Sequence, residues 1–122
     1  MKFKNEIDAE FWYQRCGQNP PYTPFVTLRR IAAAIDDLSI ATGHGEIVVT
    51  SFLRPDDRKS YHSKGQAIDI RVRDKSPRWF EAMMLLKFAL QRLDPQVQMV
   101  MHLEEYNKEN SHIHCEIDNG SL

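Results

Sequence analysis

A pair of histidines, His112 and His114, is the strongest chemical signal in the sequence. They lie in the segment His-Ile-His-Cys-Glu-Ile-Asp, residues 112–118, where polar and apolar residues alternate. Such alternation is typical of a β-strand with one buried face, and residues two apart on a strand point to the same side. Both imidazoles should therefore lie on the polar face, close enough to bind one metal ion. The alternative is that both are ordinary surface residues, because His-x-His is a common pattern.

A second candidate segment is Ser-Tyr-His-Ser-Lys-Gly-Gln-Ala-Ile-Asp-Ile, residues 60–70. His62 lies in a predicted loop, and Asp69 lies on the polar face of the predicted strand that follows. Gly65 permits a sharp turn that would bring the imidazole back over this strand. The alternative is that Asp69 is a surface carboxylate and Gly65 an ordinary turn residue. An aspartate between two isoleucines in the middle of a strand is harder to explain in that way.

Together, the two segments offer a three-residue zinc site of His62, Asp69 and His114. Structural zinc sites have four protein ligands, whereas catalytic sites have three and leave a position open for water. Zinc lowers the pKa of bound water to about 7, so hydroxide is available at neutral pH. The predicted cofactor is therefore a catalytic zinc ion. His44 is predicted to be a turn residue, and His102 a surface or hydrogen-bonded residue.

Hydrophobic periodicity predicts the elements that must position these residues. Apolar residues at helical spacing from Leu28 to Leu38 predict a helix that ends at Gly43. Ser76 as N-cap and Pro77 in the first turn begin a second long helix. The predicted helices cover residues 5–15, about 28–42 and 77–93, and the predicted strands cover 46–52, 66–73, 97–103 and 112–118.

The order of these elements predicts an α+β domain with a small antiparallel sheet of about four strands and helices packed on one face. Residues 1–122 are long enough for a single domain with its own core. Polar segments predict a loop over 54–64 and a turn over 104–110. The residues that the last helix should bury are Trp79, Phe80, Met83, Leu86, Leu90 and Leu93.

Composition narrows the classes of function. The chain is 42% hydrophobic and 27% charged, which is ordinary for a globular protein. Its net charge of -1 provides no basic excess for nucleic acid, and no apolar run is long enough to cross a membrane. The first residues lack the features of a secretory signal, so we expect a cytoplasmic protein. We also expect a monomer. Cys16 and Cys115 follow no spacing motif and are expected to be free thiols.

Two parts of the sequence resemble the M15 zinc peptidases: Ser60-x-His62-x-x-Gly65-x-Ala67-x-Asp69 and His112-x-His114. This family includes D-alanyl-D-alanine carboxypeptidases, dipeptidases and phage endolysins. It shares a fold with a murein endopeptidase and with the hedgehog signalling domain. The segment Ser-Phe-Leu-Arg that ends at Arg54 also resembles the stretch that ends in the family's substrate-binding arginine. The resemblance covers about residues 47–118.

The resemblance implies a zinc peptidase that acts on peptidoglycan cross-links or D-alanyl peptides, with zinc on the three residues named above. It implies that Arg54 binds a carboxylate or carbonyl of the substrate, for which a planar guanidinium is suited. It also implies that Ser60 is a polar contact beside the site, and Tyr61 could line a substrate groove or simply pack. A phage or bacterial enzyme is expected, released at lysis or carried on a phage particle.

The general base is the part of the family pattern from which this sequence departs. Many family members have a catalytic carboxylate three residues before the last histidine ligand, where this sequence has Ser111. The candidates for the base, in order, are Glu109 and His112, then Glu104, Glu105 and Glu116. The departure also supports an alternative, a non-catalytic zinc-binding module of the same fold. A plain α+β domain without metal is the third interpretation.

Overall fold

A computed structural model describes residues 1–57, 59–73, 75–102 and 111–122. These residues contain three helices and five strands, and a short 3-10 turn precedes the third strand. The elements are β1 (Lys2–Phe3), α1 (Glu6–Cys16), α2 (Thr23–Ala41), β2 (Val48–Ser51), the 3-10 turn (Tyr61–Lys64), β3 (Ala67–Arg71), α3 (Pro77–Leu93), β4 (Val97–His102) and β5 (His112–Ile117).

The strands form one sheet in the order β1-β2-β3-β5-β4. Only β1 and β2 run parallel, and the other three pairs of neighbours are antiparallel. The predicted α+β class is confirmed. The sheet has five strands rather than about four, because Lys2–Phe3 adds an edge strand that is too short to show a period in the sequence. The predicted turn over 104–110 lies outside the described residues.

The two faces of the sheet differ in chemistry, as alternation along a strand requires. Neighbouring strands β3 and β5 pair Ile68 with Cys115 and Ile70 with Ile113, and all four side chains are fully buried. This apolar face packs against α2 and α3. The residues between them on β3 and β5 point to the opposite face, where the polar groups gather.

The helices pack on this core through large buried side chains. The Trp79 indole of α3 donates a hydrogen bond to Ser39 Oγ of α2 at 3.1 Å, so the polar edge of a buried ring is satisfied. Ser76 caps α3 as predicted, since its Oγ accepts a hydrogen bond from the Trp79 backbone N–H. The prediction that Leu93 is buried was wrong. It is the last residue of α3 and 83% exposed, because the helix extends beyond the core that its earlier turns cover.

Two further sequence-based expectations can be compared with the fold. Cys16 and Cys115 are both free thiols, as predicted. Across the described ranges, no helix is both long and apolar enough to span a membrane.

We expect Cys115 to resist thiol reagents in the folded protein. Its side chain is fully buried, and this burial raises the pKa of its thiol to about 12, so little reactive thiolate forms. Cys16 is only half-buried at the end of α1 and should react. Alkylation at mildly alkaline pH, followed by mass spectrometry, should therefore label Cys16 alone in the native protein and both cysteines in denaturant. Rapid labelling of native C16S protein would contradict the placement of Cys115 in the core.

Candidate metal centre

The first predicted ligand, His62, is positioned by the 3-10 turn. Ser60 begins this turn, and its Oγ accepts a hydrogen bond from the His62 backbone N–H at 3.0 Å. Gly65 ends it with a φ of 67°, a left-handed conformation that glycine adopts without steric cost. A Cβ at Gly65 would also lie 2.9 Å from the guanidinium carbon of Arg15. The positive φ therefore favours glycine here, and the turn carries the His62 imidazole back over β3.

The tautomer of the neutral His62 ring follows from its contacts. Its Nδ1 lies 2.7 Å from the carbonyl oxygen of Phe52, which can only accept, so Nδ1 carries a proton, and in the neutral ring that a metal ligand requires the lone pair is on Nε2. Nε2 is buried, makes no hydrogen bond to any described residue, and lies 3.4 Å from Asp69 Oδ2. A buried lone pair beside a carboxylate oxygen suits a cation held between them.

Asp69 and His114 are brought together by sheet register. They are direct partners on the central strands β3 and β5, and His114 Nδ1 lies 2.8 Å from Asp69 Oδ1. One nitrogen or oxygen atom from each of His62, Asp69 and His114 lies within 4.8 Å of the others. Two imidazoles and a carboxylate are the donor set that zinc accepts. The three predicted ligands therefore form a group that could hold a metal ion, and zinc as that ion stays a prediction.

Charge in this cluster is concentrated on Asp69. Burial raises the pKa of this carboxyl, but the imidazoles of His114 and His62 outweigh burial and hold the pKa well below its usual range. Burial lowers the pKa of His114, but its contacts with Asp69 and Glu116 outweigh burial and leave the pKa above 6.5. The contact between the buried Asp69 carboxyl and the His114 imidazole therefore favours the charged form of each group.

The predicted substrate-binding residue Arg54 contacts the metal centre directly. Its Nη2 lies 2.7 Å from Asp69 Oδ2, and its Nε donates to Ser51 Oγ at 2.7 Å. Its backbone N–H donates to the His62 carbonyl, which ties the loop before the turn to the turn itself. About half of the Arg54 side chain is exposed, so the guanidinium lies at the rim between Asp69 and solvent.

Two more imidazoles lie next to the three-residue cluster. His112 Nε2 lies 3.9 Å from Asp69 Oδ1, and a third of its side chain is exposed. His102 is opposite His112 in the β4–β5 register, with ring centroids 4.9 Å apart, and its ring lies 6.3 Å from that of His114. His102 is exposed, in agreement with the prediction of a surface residue, but its place beside the cluster was not predicted. The signal that could have placed it at the site is strand register, which the alternation pattern alone does not fix.

The remaining predicted site residues have mixed outcomes. Ser60 caps the 3-10 turn, which is a structural contact. Tyr61 is buried in the core, and its hydroxyl donates a hydrogen bond to Asp118 Oδ1 at 2.6 Å. Any role of these two residues in substrate binding stays a prediction. Glu109, the first candidate for the base, lies outside the described residues, as do Glu104 and Glu105.

Comparison with known proteins identifies no relative of this chain. No protein-family model matches the chain, and no curated protein or solved structure matches it either. The resemblance to the M15 peptidases therefore stays a prediction from two motifs. The geometry of the site carries the functional argument.

We expect the protein to bind about one zinc ion per chain, and Asp69→Asn to weaken binding by more than about a hundredfold. Loss of a residue that only orients a ligand costs about 10- to 100-fold, and Asp69 would be a direct ligand. Competition with a chromophoric chelator measures the affinity. Asp37→Asn, which changes an exposed aspartate on α2, is the matched control. Equal affinity in Asp69→Asn and wild type would rule out the proposed ligand set.

We expect Tyr61→Phe to destabilise the protein at neutral pH but not in acid. Hydrogen bonds from the Tyr61 hydroxyl and then from the Gly120 backbone N–H lower the pKa of Asp118 below 3.8. A lowered carboxyl pKa stabilises the fold above its unfolded value, and this contribution is lost as the pH falls through the folded value. Urea unfolding at several pH values measures the difference, with the exposed Tyr13→Phe as control. An Asp118 pKa unchanged by Tyr61→Phe would contradict this assignment.

Proposed function

We propose that this chain is a zinc-dependent metallopeptidase that hydrolyses peptide bonds of peptidoglycan cross-links or D-alanyl peptides, in a phage or bacterial setting. The observation that carries the proposal is the convergence of His62, Asp69 and His114 around a buried imidazole nitrogen that has no hydrogen bond among the described residues. Three protein ligands, rather than four, are typical of a catalytic zinc site. The two sequence motifs and the neighbouring Arg54 support the choice of peptidase.

In the proposed hydrolysis, zinc and the surrounding side chains have different roles. Bound zinc supplies a hydroxide nucleophile at neutral pH and polarises a substrate carbonyl. His112 is the described residue best placed to accept and return a proton, because it lies beside Asp69 and is still partly open to solvent. His62 and His114 are held by their own hydrogen bonds, so the reacting groups meet a preorganised site.

Arg54 is suited to orient the substrate. A guanidinium has five N–H donors, and the contacts with Asp69 and Ser51 occupy two of its nitrogens, so donors remain for a carboxylate or carbonyl. The arginine lies at the rim of the cluster, where a peptide would approach. A substrate carboxylate bound there would be fixed at one distance from the metal centre, which favours cleavage near a chain end.

A cleft next to the metal centre offers room for a short peptide. Its volume is about 630 Å³, and it shares Ser51 and Arg54 with the site. Residues at and just before the start of α1 also line the cleft, among them Lys4, Glu6 and Ile7. Cationic, acidic and apolar groups together suit a peptide that carries charges of both signs, as the stem peptides of peptidoglycan do.

A non-catalytic zinc-binding module of the same fold is the second candidate. The observation that favours it is Ser111, which is buried directly before β5, where many M15 peptidases have their catalytic carboxylate. Such a module would bind a partner protein or a glycan, or be a structural part of a phage particle. It would keep the zinc ligands and would not need Arg54 for its function.

We expect Arg54→Ala to lower peptidase activity by at least about a hundredfold while zinc stays bound. Loss of substrate alignment alone costs about this much, and Arg54 is not one of the three ligands. Release of new amines from peptidoglycan measures activity, and metal analysis of the same sample measures zinc. The exposed Arg29→Ala on α2 is the control.

The outcomes separate the two candidate functions. Activity retained in Arg54→Ala would remove Arg54 from the mechanism. Zinc without any cleavage in the wild-type protein would favour the binding module.

A further inference from the structure

The His114 imidazole lies between two carboxylates. Its Nδ1 is 2.8 Å from Asp69 Oδ1, and its Nε2 is 2.7 Å from Glu116 Oε1. Both contacts have hydrogen-bond length, and both partners are anionic acceptors. The two ring nitrogens therefore face opposite ways, one towards the other candidate ligands and one away from them.

Only one assignment of the ring nitrogens satisfies both contacts when a cation occupies the site. A neutral imidazole has one N–H and one lone pair, and a carboxylate can only accept. The nitrogen that faces the candidate ligand Asp69 is Nδ1, so Nδ1 would supply the lone pair to the ion. The proton then stays on Nε2 and is donated to Glu116.

We propose that Glu116 is a positioning residue that holds His114 in its metal-ligating form by accepting the hydrogen bond from Nε2–H. The inference rests on the metal centre of the proposed function and extends it to a residue beyond the three ligands. A carboxylate in this position fixes the tautomer and the ring orientation of a ligating histidine, and it raises the basicity of the nitrogen that binds the metal.

The location of Glu116 favours this positioning role over the role of general base that the sequence left open for it. The His114 ring stands between Glu116 and Asp69, so the glutamate faces the side of the imidazole that is remote from the ligand cluster. On β5, it lies between Ala67 of β3 and Gln98 of β4 in the sheet register. Its side chain is 24% exposed, so it is held beside the ring within the sheet surface.

The two ligating histidines would then be oriented by hydrogen-bond acceptors of different charge. The His62 ring is held by the neutral backbone carbonyl of Phe52, whereas the His114 ring is held by an anion. A hydrogen bond to an ionised acceptor is roughly twice as strong as one between neutral groups. The His114 ring should therefore be held by the stronger hydrogen bond, and that bond depends on a side chain that can be replaced by mutation.

The experiment compares zinc affinity in wild type, Glu116→Ala, Glu116→Gln and the control Glu81→Gln, which changes an exposed glutamate on α3. Chelator competition at fixed pH should show Glu116→Ala weakened by about 10- to 100-fold. Glu116→Gln keeps an acceptor oxygen without the charge, so it should fold normally and fall between Glu116→Ala and wild type. The Glu81→Gln control should match wild type.

A second readout is the ¹⁵N spectrum of the His114 imidazole in zinc-loaded protein. We expect a proton on Nε2 and a metal-shifted Nδ1 in wild type, with faster exchange of the Nε2 proton in Glu116→Gln. Zinc affinities of both Glu116 variants equal to that of the control would overturn the proposal, and so would a proton on Nδ1. Zinc bound with these properties but without peptidase activity would overturn only the proposed function.

Discussion

The buried carboxylate of Asp69 is the constraint on which the polar face of the sheet depends. It sits in the middle of the central strand, between two isoleucines that point into the core. An isolated charge at such a position is strongly unfavourable, so it must be paired and hydrogen-bonded. His114 across the strand pair, Arg54 from the preceding loop and His62 from the 3-10 turn meet this need from three directions. The loop, the turn and the strand register are therefore coupled through one carboxylate.

The same arrangement links folding to metal binding. Arg54 and His114 both contact the Asp69 carboxylate, but the buried Nε2 of His62 finds no hydrogen bond among the described residues. A bound cation would accept a lone pair from His62 Nε2 and another from His114 Nδ1. Binding of an ion to the folded state alone raises stability by mass action. The polar atoms of the site can therefore be accommodated without a metal ion, and a bound ion would also give the His62 Nε2 atom a partner.

Much of this arrangement is readable from the sequence, because it depends on local patterns. Period-two alternation placed Asp69 and His114 on polar strand faces, and the position of Gly65 after His62 indicated the turn that brings the imidazole back. The contact of His114 with Glu116 could not be assigned in this way, since it depends on ring orientation in three dimensions. Strand register and helix length relative to the core are also set by tertiary packing, which explains the unpredicted position of His102 and the exposed end of α3.

The proposed zinc centre requires His62, Asp69 and His114 to bind one ion through specific atoms. A crystal structure of zinc-loaded protein, with anomalous diffraction measured on both sides of the zinc edge, would locate that ion. We expect one strong peak at about 2.0–2.2 Å from His62 Nε2, from an Asp69 carboxylate oxygen and from His114 Nδ1. A zinc peak elsewhere on the protein, with these three side chains still hydrogen-bonded only to one another, would contradict it.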